Sequence, residues 1–282
     1  MRELTPGLLK PLLLSRSDDS HKGNYGHLLL VCGSDAYSGA AVLATGAALK
    51  SGCGLVTLHS CARALQATVN LFPSAMLSED PAGHFSRIPS KLEKYSAIAA
   101  GPGLGQAPDT LGALQELLGT AKAAGIPMVL DADALNLIAA NPHLLALVPE
   151  GSVMTPHAGE LQRLLSSAAA QGLASTAQEY SARSGCAMVL KGWRSKIIAP
   201  SGEAFVNATG NPGMAKGGSG DVLTGLMGGL LARGYKALDA ALLGTWIHGY
   251  AGDCLTAECT AEAYSSQDLI GAIHRGFLAL YR

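Results

Sequence analysis

The sequence predicts an α/β protein with a mostly parallel central sheet covered by helices on both faces. Three observations carry the prediction. Short, continuously apolar runs, the mark of strands buried on both faces, alternate with longer segments of helical character. Glycine-rich and polar loops follow the apolar runs, where parallel sheets gather ligands. No linker, low-complexity tract or repeat divides the 282 residues, so one domain covering residues 1–282 is expected.

The elements follow in order. Residues 27–32 (HLLLVC) read as a buried strand and the Ala-rich 39–51 as a helix. Strands are expected at 55–59 and 97–100, a helix at 109–124, a strand at 127–131 and a helix at 133–139. A short strand at 153–154 stops at Thr155-Pro156, with Thr155 as expected N-cap of a helix over 158–165 and Pro156 suited to its first turn. A helix over 175–184 has Thr176 and Glu179 at capping-box spacing. Strands at 187–191, 196–199 and 204–207 come next, the last two joined by the turn Pro200-Ser201-Gly202. Helices over 221–232, 237–254 and 266–280 close the chain.

Composition narrows the function. At 48% hydrophobic residues the chain can bury a sizeable core, and 35 glycines with only 15% charged residues suit a compact enzyme with many short loops. A net charge of −1 with no basic block argues against nucleic-acid binding. The six cysteines, at positions 32, 53, 61, 186, 254 and 259, form no C-x-x-C pair, which removes zinc and thioredoxin-type readings. Cysteines this sparse suit a reduced, cytoplasmic setting. The apolar patch at 8–14 is broken by Lys10 and Pro11 and lacks a small-residue cleavage site, so no secretory signal is expected. It could seal a subunit contact or cover the sheet edge. No apolar run reaches the ~20 residues of a membrane helix.

The richest stretch runs from Asn211 to Gly225 (NPGMAKGGSGDVLTG). Its side-chain-poor loop leads into an apolar helix, and loop amides together with a helix start make a pocket for an anion. Asp221 puts a carboxylate beside that pocket. Like charges repel, so the pairing suits a base that takes a proton from a hydroxyl reacting with phosphate, or a residue that helps place a metal.

Other polar groups sit just past strand ends. The 33–41 loop (GSDAYSGAA) could let a flat ligand lie on the backbone or be a plain connection. Gly101-Pro102-Gly103-Leu104-Gly105 suggests close ligand approach. His157 could donate to an anion or amide, or be a polar first-turn residue. Asp133 could cap a helix, while Asp131 could bind a metal or a hydroxyl. Lys191, Arg194 and Ser195 could hold phosphates, with Gly192 allowing close approach; a tight turn is the alternative. The amides of Asn207 and Asn211 could serve a ribose or a nicotinamide-like group. His248 reads as a packed helical residue.

Taken together, His21-Lys22-Gly23-Asn24-Tyr25-Gly26, the 33–41 loop, Gly101 to Gly105, Asp131-Ala132-Asp133-Ala134-Leu135-Asn136, Thr155-Pro156-His157-Ala158-Gly159-Glu160, Leu190-Lys191-Gly192 and Asn211 to Gly225 occur in the order found in ADP- or ATP-dependent NAD(P)H-hydrate dehydratases, and the chain resembles that family over about residues 8–280. The resemblance implies a ribokinase-like fold. It implies an activity that returns NADH or NADPH hydrated at C6 of the nicotinamide ring to the normal cofactor: a nucleotide's terminal phosphoryl group moves to the ring hydroxyl, and phosphate is then eliminated. Bacterial members generally use ADP and eukaryotic ones ATP. The resemblance also suggests Mg2+, a homotetramer, and no N-terminal epimerase domain, because the first strand arrives near His27.

Carried onto this chain, the resemblance makes Asp221 the base toward the hydrate's hydroxyl. Gly218, Ser219 and Gly220 form the anion hole, and Gly220 also touches the adenine nucleotide. Lys191, Gly192, Trp193, Arg194 and Ser195 hold the nucleotide; family members often have threonine at the last of these, so the hydroxyl is kept. Ala41, Gly103 and His157 contact the hydrated dinucleotide. Two other readings compete: a small-molecule kinase of the same fold, acting on a vitamin precursor or sugar alcohol, and a non-catalytic nucleotide sensor. Thiazole and pyrimidine kinases of this fold usually carry cysteine where this chain has Asp221, and a sensor needs no base.

Overall fold

The computed structural model describes residues 1–172 and 174–282. A ten-stranded sheet organises them. Its strands are β1 (Arg2–Glu3), β2 (His27–Val31), β3 (Leu55–Cys61), β4 (Met76–Asp80), β5 (Ala97–Ala100), β6 (Met128–Leu130), β7 (Val153–Met154), β8 (Ala187–Leu190), β9 (Lys196–Ile198) and β10 (Ala204–Val206). The helices are α1 (Pro6–Leu9), α2 (Ser38–Leu49), α3 (Ala62–Leu71), α4 (Pro108–Ala123), α5 (Ala132–Ala140), α6 (Ala158–Ala170), α7 (Ala177–Ser184), α8 (Ser219–Ala232), α9 (Ala237–Glu258) and α10 (Ser266–Tyr281). In space the strands run β1-β10-β9-β8-β7-β6-β5-β2-β3-β4. Only β9 opposes its neighbours; every other pair is parallel.

The apolar strand runs now have a cause. Successive side chains on a strand point to opposite faces. On β2, Leu28 and Leu30 enter the core shared with α2, α8, α9 and α10, while Leu29 and Val31 enter the core shared with α4, α5 and α6. Both sets are fully buried. Each buried leucine contributes about 1.5–3 kcal/mol, so neither face tolerates a polar residue, and alternation vanishes from the sequence.

The expected strands and helices are all present, with ends shifted by a few residues. Two elements, α3 and β4, leave no clear mark in the sequence. β4 (MLSED) is the last strand of the sheet and is largely exposed, so it carries no apolar run. α3 buries only Ala64, Leu65 and Thr68 along one stripe. The two-residue β1, which pairs with β10, likewise leaves none. The 8–14 patch packs on the chain's own core: Leu9 is fully buried, Leu8, Leu12 and Leu13 lie against it, and Leu14 stays exposed.

Parallel pairing fixes the position of the site. The carboxyl ends of β3, β2, β5, β6, β7 and β8 open onto one edge of the sheet. α8 packs against β2, β5 and β6 and brings its N-terminus to that edge.

Candidate active site

α8 begins without a side-chain cap. Gly218 holds the N-cap position at φ 90°, and a Cβ there would lie 2.3 Å from Leu43 Cδ1, so only glycine fits. Ser219 N–H donates weakly to the Lys216 carbonyl at 3.4 Å. Among the described residues, the N–H groups of Gly217, Gly218, Gly220 and Asp221 have no protein acceptor. Four open amides at the positive end of a helix are an arrangement suited to an anion. Of the three amides expected from sequence, those of Gly218 and Gly220 are open and that of Ser219 is partly spent; the Gly217 and Asp221 amides were not among them.

Asp221 lies in the first turn of α8, half-buried at the strand-end edge. Among the described residues its carboxylate has no hydrogen-bond or ion-pair partner. Burial, aided by the charge of Asp131 and opposed by Lys191, pushes its pKa up to about 6. A carboxylate poised there is ionised at neutral pH yet basic enough to take a proton.

Asp131, at the end of β6, is buried and saturated. One oxygen accepts Lys191 Nζ at 2.5 Å, and the other accepts Thr224 Oγ1 from α8 at 2.7 Å. Lys191 Nζ also lies 3.8 Å from Glu160 Oε2. A Cβ on Gly220 would sit 3.6 Å from Lys191 Nζ and 3.7 Å from Asp131 Oδ2, so the lysine borders the open amides. Thr224 escaped the sequence reading, although it falls three residues after Asp221 on one helical face.

His157 caps α6, where Thr155 was expected to. Its Nδ1 accepts the N–H groups of Gly159 and Glu160, and Glu160 accepts the His157 N–H at 2.8 Å. Thr155 instead extends β7, its N–H donating to Leu130 O at 3.1 Å. The strand pairing reaches one step further, as a bridge between His157 and Lys191, and sets the two side by side at the edge. The His157 side chain is about half exposed, and its Nε2 lies 3.4 Å from Glu160 Oε1. The Thr176–Glu179 capping box is present on α7 as expected.

The 101–105 and 33–41 loops meet beside α8. Gly33 N–H donates to Pro102 O at 2.7 Å, and Gly103 packs against Tyr37 and Ala40. Ala41 is fully buried one turn into α2. Gly101 lies against the Asp131 main chain, where a Cβ would come within 1.8 Å of a carbonyl, which brings this loop up to Asp131. Asp133 does not cap α5. It accepts Gly105 N–H at 2.9 Å and Gln106 Nε2 at 3.1 Å, and so fixes the glycine loop.

The remaining 191–195 residues form the β8–β9 turn. Gly192 and Ser195 bond to each other, Trp193 is 87% exposed, and Arg194, at φ 54°, pairs with Glu3 at 2.6 Å. Lys191 alone of the five turns into the edge cluster. The side-chain amides of Asn207 and Asn211 serve the protein itself, bonding Thr209 O and Thr245 O in one case and Asp253 in the other. His248 is buried as expected, pushed down to about 4 by its burial and hence neutral; its Nε2 is 3.4 Å from Ser219 Oγ. Burial also raises the Cys32 thiol, with Asp221 and Asp131 adding to the effect, so it stays protonated and is no nucleophile.

Residues 28–275 match the carbohydrate kinase-type family model described as NAD(P)H-hydrate dehydratase. The chain belongs to this family. An ADP-dependent (S)-NAD(P)H-hydrate dehydratase from Neisseria meningitidis is 39% identical over 247 residues, covering 86% of this chain and 81% of its own. The bifunctional NAD(P)H-hydrate repair enzyme of Moorella thermoacetica is 38% identical over 281 residues, 95% of this chain but 52% of its own. The chain thus spans about half the length of such bifunctional relatives. The crystal structure of the Bacillus subtilis ADP/ATP-dependent NAD(P)H-hydrate dehydratase, co-crystallised with ATP/Mg2+, superposes with a TM-score of 0.83 at 29% identity, over 99% of this chain and 98% of that one. The fold is the ribokinase-like one of these proteins.

Proposed function

We propose that this chain is a hydro-lyase that restores NADH and NADPH from the (S)-forms of their C6 hydrates, with ADP as phosphoryl donor. The observation that carries the reading is an unpartnered, half-buried Asp221 carboxylate beside the open amides of Gly217, Gly218 and Gly220. The names of the Neisseria and Bacillus relatives support the substrate and the nucleotide.

In this reading the dinucleotide hydrate lies along Ala41, Gly103 and His157, on the β2–β5–β7 side of the edge. The nucleotide enters over the 191–195 turn, which would grip it through Lys191, Gly192, Trp193, Arg194 and Ser195, with Gly220 touching it as well. Asp221 removes the proton from the C6 hydroxyl as that oxygen attacks the terminal phosphorus. The bond to the bridging oxygen breaks and AMP departs. Charge gathers on the equatorial oxygens of the moving phosphoryl group, where the α8 amides at Gly218, Ser219 and Gly220 and the Lys191 ammonium stand. The C6–O bond then breaks with its electron pair, inorganic phosphate leaves, and loss of a proton from the neighbouring ring carbon completes the dihydronicotinamide. Preformed amides favour this state because they need no reorganisation as charge develops.

Mg2+ accompanies ATP in the Bacillus crystals. Among the described residues no three His, Cys, Asp or Glu side chains converge on a point, and both Asp131 oxygens are engaged. A dedicated protein cage for Mg2+ does not fit these residues; the ion would ride on the nucleotide phosphates and its own waters. We further read the protein as cytoplasmic and as a homotetramer; light scattering on the purified chain tests the tetramer, and cell fractionation the location.

The test of the reaction is direct. The chain is incubated with hydrated NADH, ADP and Mg2+, and the reduced-nicotinamide absorbance is followed. Recovery of the band with stoichiometric AMP and phosphate is expected. Nucleotide turnover with a hydroxylated vitamin and no band recovery would make it a kinase, and nucleotide binding without turnover a sensor.

A further inference from the structure

A lysine inside a glycine-rich phosphate loop ordinarily reaches for phosphate. Lys216 does not. An ammonium has three N–H donors, and all three are spent on main-chain carbonyls of a single turn: Ala261 O at 2.9 Å, Glu262 O at 3.0 Å and Tyr264 O at 2.5 Å. Its charge also lies 4.8 Å from the centre of the Tyr264 ring.

The same turn touches the loop leading into α8 at further points. Tyr264 Oη donates to Asn211 Oδ1 at 2.7 Å, and Asn211 Oδ1 also accepts Gly213 N–H at 3.0 Å. A Cβ on Gly213 would sit 2.6 Å from both Ala261 O and Tyr264 Oη. Ser266 Oγ, at the start of α10, donates to Gly217 O at 2.7 Å. The carbonyl bonded by Ser266 belongs to the residue that follows Lys216, and the open amides begin at that residue.

We infer that Lys216 is a positioning residue: its ammonium clamps the 261–264 turn to the loop before α8 and so holds the Gly217, Gly218, Gly220 and Asp221 amides aligned before any anion arrives. The inference rests on reading those amides as the phosphoryl site. It assigns Lys216 no contact with phosphate. A charged clamp suits this place because a glycine-rich loop loses more conformational entropy than any other on ordering, and preformed donors are worth most when that ordering is already complete.

The test uses the whole chain with Lys216→Ala, which removes the ammonium and leaves room for a small amine, and Lys216→Met, which keeps the stem but not the charge. Both should lower kcat by about 10- to 100-fold, the scale of an ångström-sized misplacement, while nucleotide affinity changes far less. Methylammonium should restore several-fold of the lost rate to Lys216→Ala and none to Lys216→Met. Hydrogen exchange should quicken at the bonded amides that flank the open ones, those of Gly213, Met214, Ala215 and Val222, and stay unchanged in β2 and β5. Unaltered turnover and exchange in both variants would overturn the clamp. So would a defect confined to nucleotide affinity, which would make Lys216 a phosphate ligand, or faster exchange throughout with no amine rescue, which would make it an ordinary stabilising residue. Should the wild-type chain not dehydrate the hydrate at all, the proposed function fails, and the exchange measurement still decides the clamp.

Discussion

Two regions of this molecule face the same strand-end edge and are built in opposite ways. The start of α8 is held on every side: by Asp131 through Thr224, by Ser266 at Gly217, by Lys216 on the 261–264 turn, and by Asp253, which accepts Gly210 N–H and the Asn211 amide. Its own donors stay open. The β8–β9 turn is anchored firmly at Lys191, while Trp193 stands in solvent and Arg194 is drawn off to Glu3 on the exposed surface. On the proposed function, the difference separates two tasks. Donors that must meet charge developing in a reaction are fixed beforehand on a rigid element, whereas a turn proposed to capture a nucleotide can adapt to it.

That contrast breaks most visibly at the rigid region. Asp221→Asn is expected to lower turnover about 10²- to 10⁴-fold while leaving nucleotide binding nearly intact. It should also raise the melting temperature at neutral pH. The carboxyl's folded pKa is raised from its usual 3.8 to about 6, so ionisation destabilises the fold as pH rises through that range, and the variant's advantage should vanish in acid. Calorimetric titration of the nucleotide and thermal melts across pH check both parts.

Gly218→Ala follows in size. Its Cβ would collide with Leu43 at a left-handed φ, displacing the amides, and kcat should drop by up to about 100-fold with little change in KM for the nucleotide. At the adaptable turn the effects should fall first on binding. Lys191→Ala, which removes a charge-assisted contact worth about 1.5–3 kcal/mol, should raise the nucleotide KM about 10- to 100-fold and lower kcat as well, because the ammonium also borders the open amides and pairs with Asp131. Trp193→Ala should weaken it by no more than about tenfold, the scale of one exposed stacking contact. Steady-state kinetics on the four variants sort the two regions; a kcat defect at Trp193 or a pure KM defect at Gly218 would erase the distinction.

The sequence made the buried sheet legible because strands such as β2 must be apolar on both faces. It hid β4 and α3, which lie at the sheet's exposed end and bury one narrow stripe. Asp221 and the glycine loop were legible because few other uses explain such a run. The network around them was not. Thr224, Glu160, Asp253 and Tyr264 each look like ordinary helix or loop residues, and only the sheet order brings residues 93 apart, Thr224 and Asp131, into one hydrogen bond. Thr155 was misread for a related reason. Thr-Pro before a helix resembles a cap, but pairing between β7 and β6 claims its backbone and leaves the cap to His157.

The pH dependence of kcat/KM for hydrated NADH tests the central claim most directly. Asp131 and Lys191 are the charged groups that act on Asp221, and its ionisation should appear as an acid limb at about 6, below which activity falls. Asp131→Asn removes a like charge and should shift that limb to lower pH, and Asp221→Asn should abolish it. A limb near 6 that survives in Asp221→Asn would place the essential base elsewhere and contradict the account.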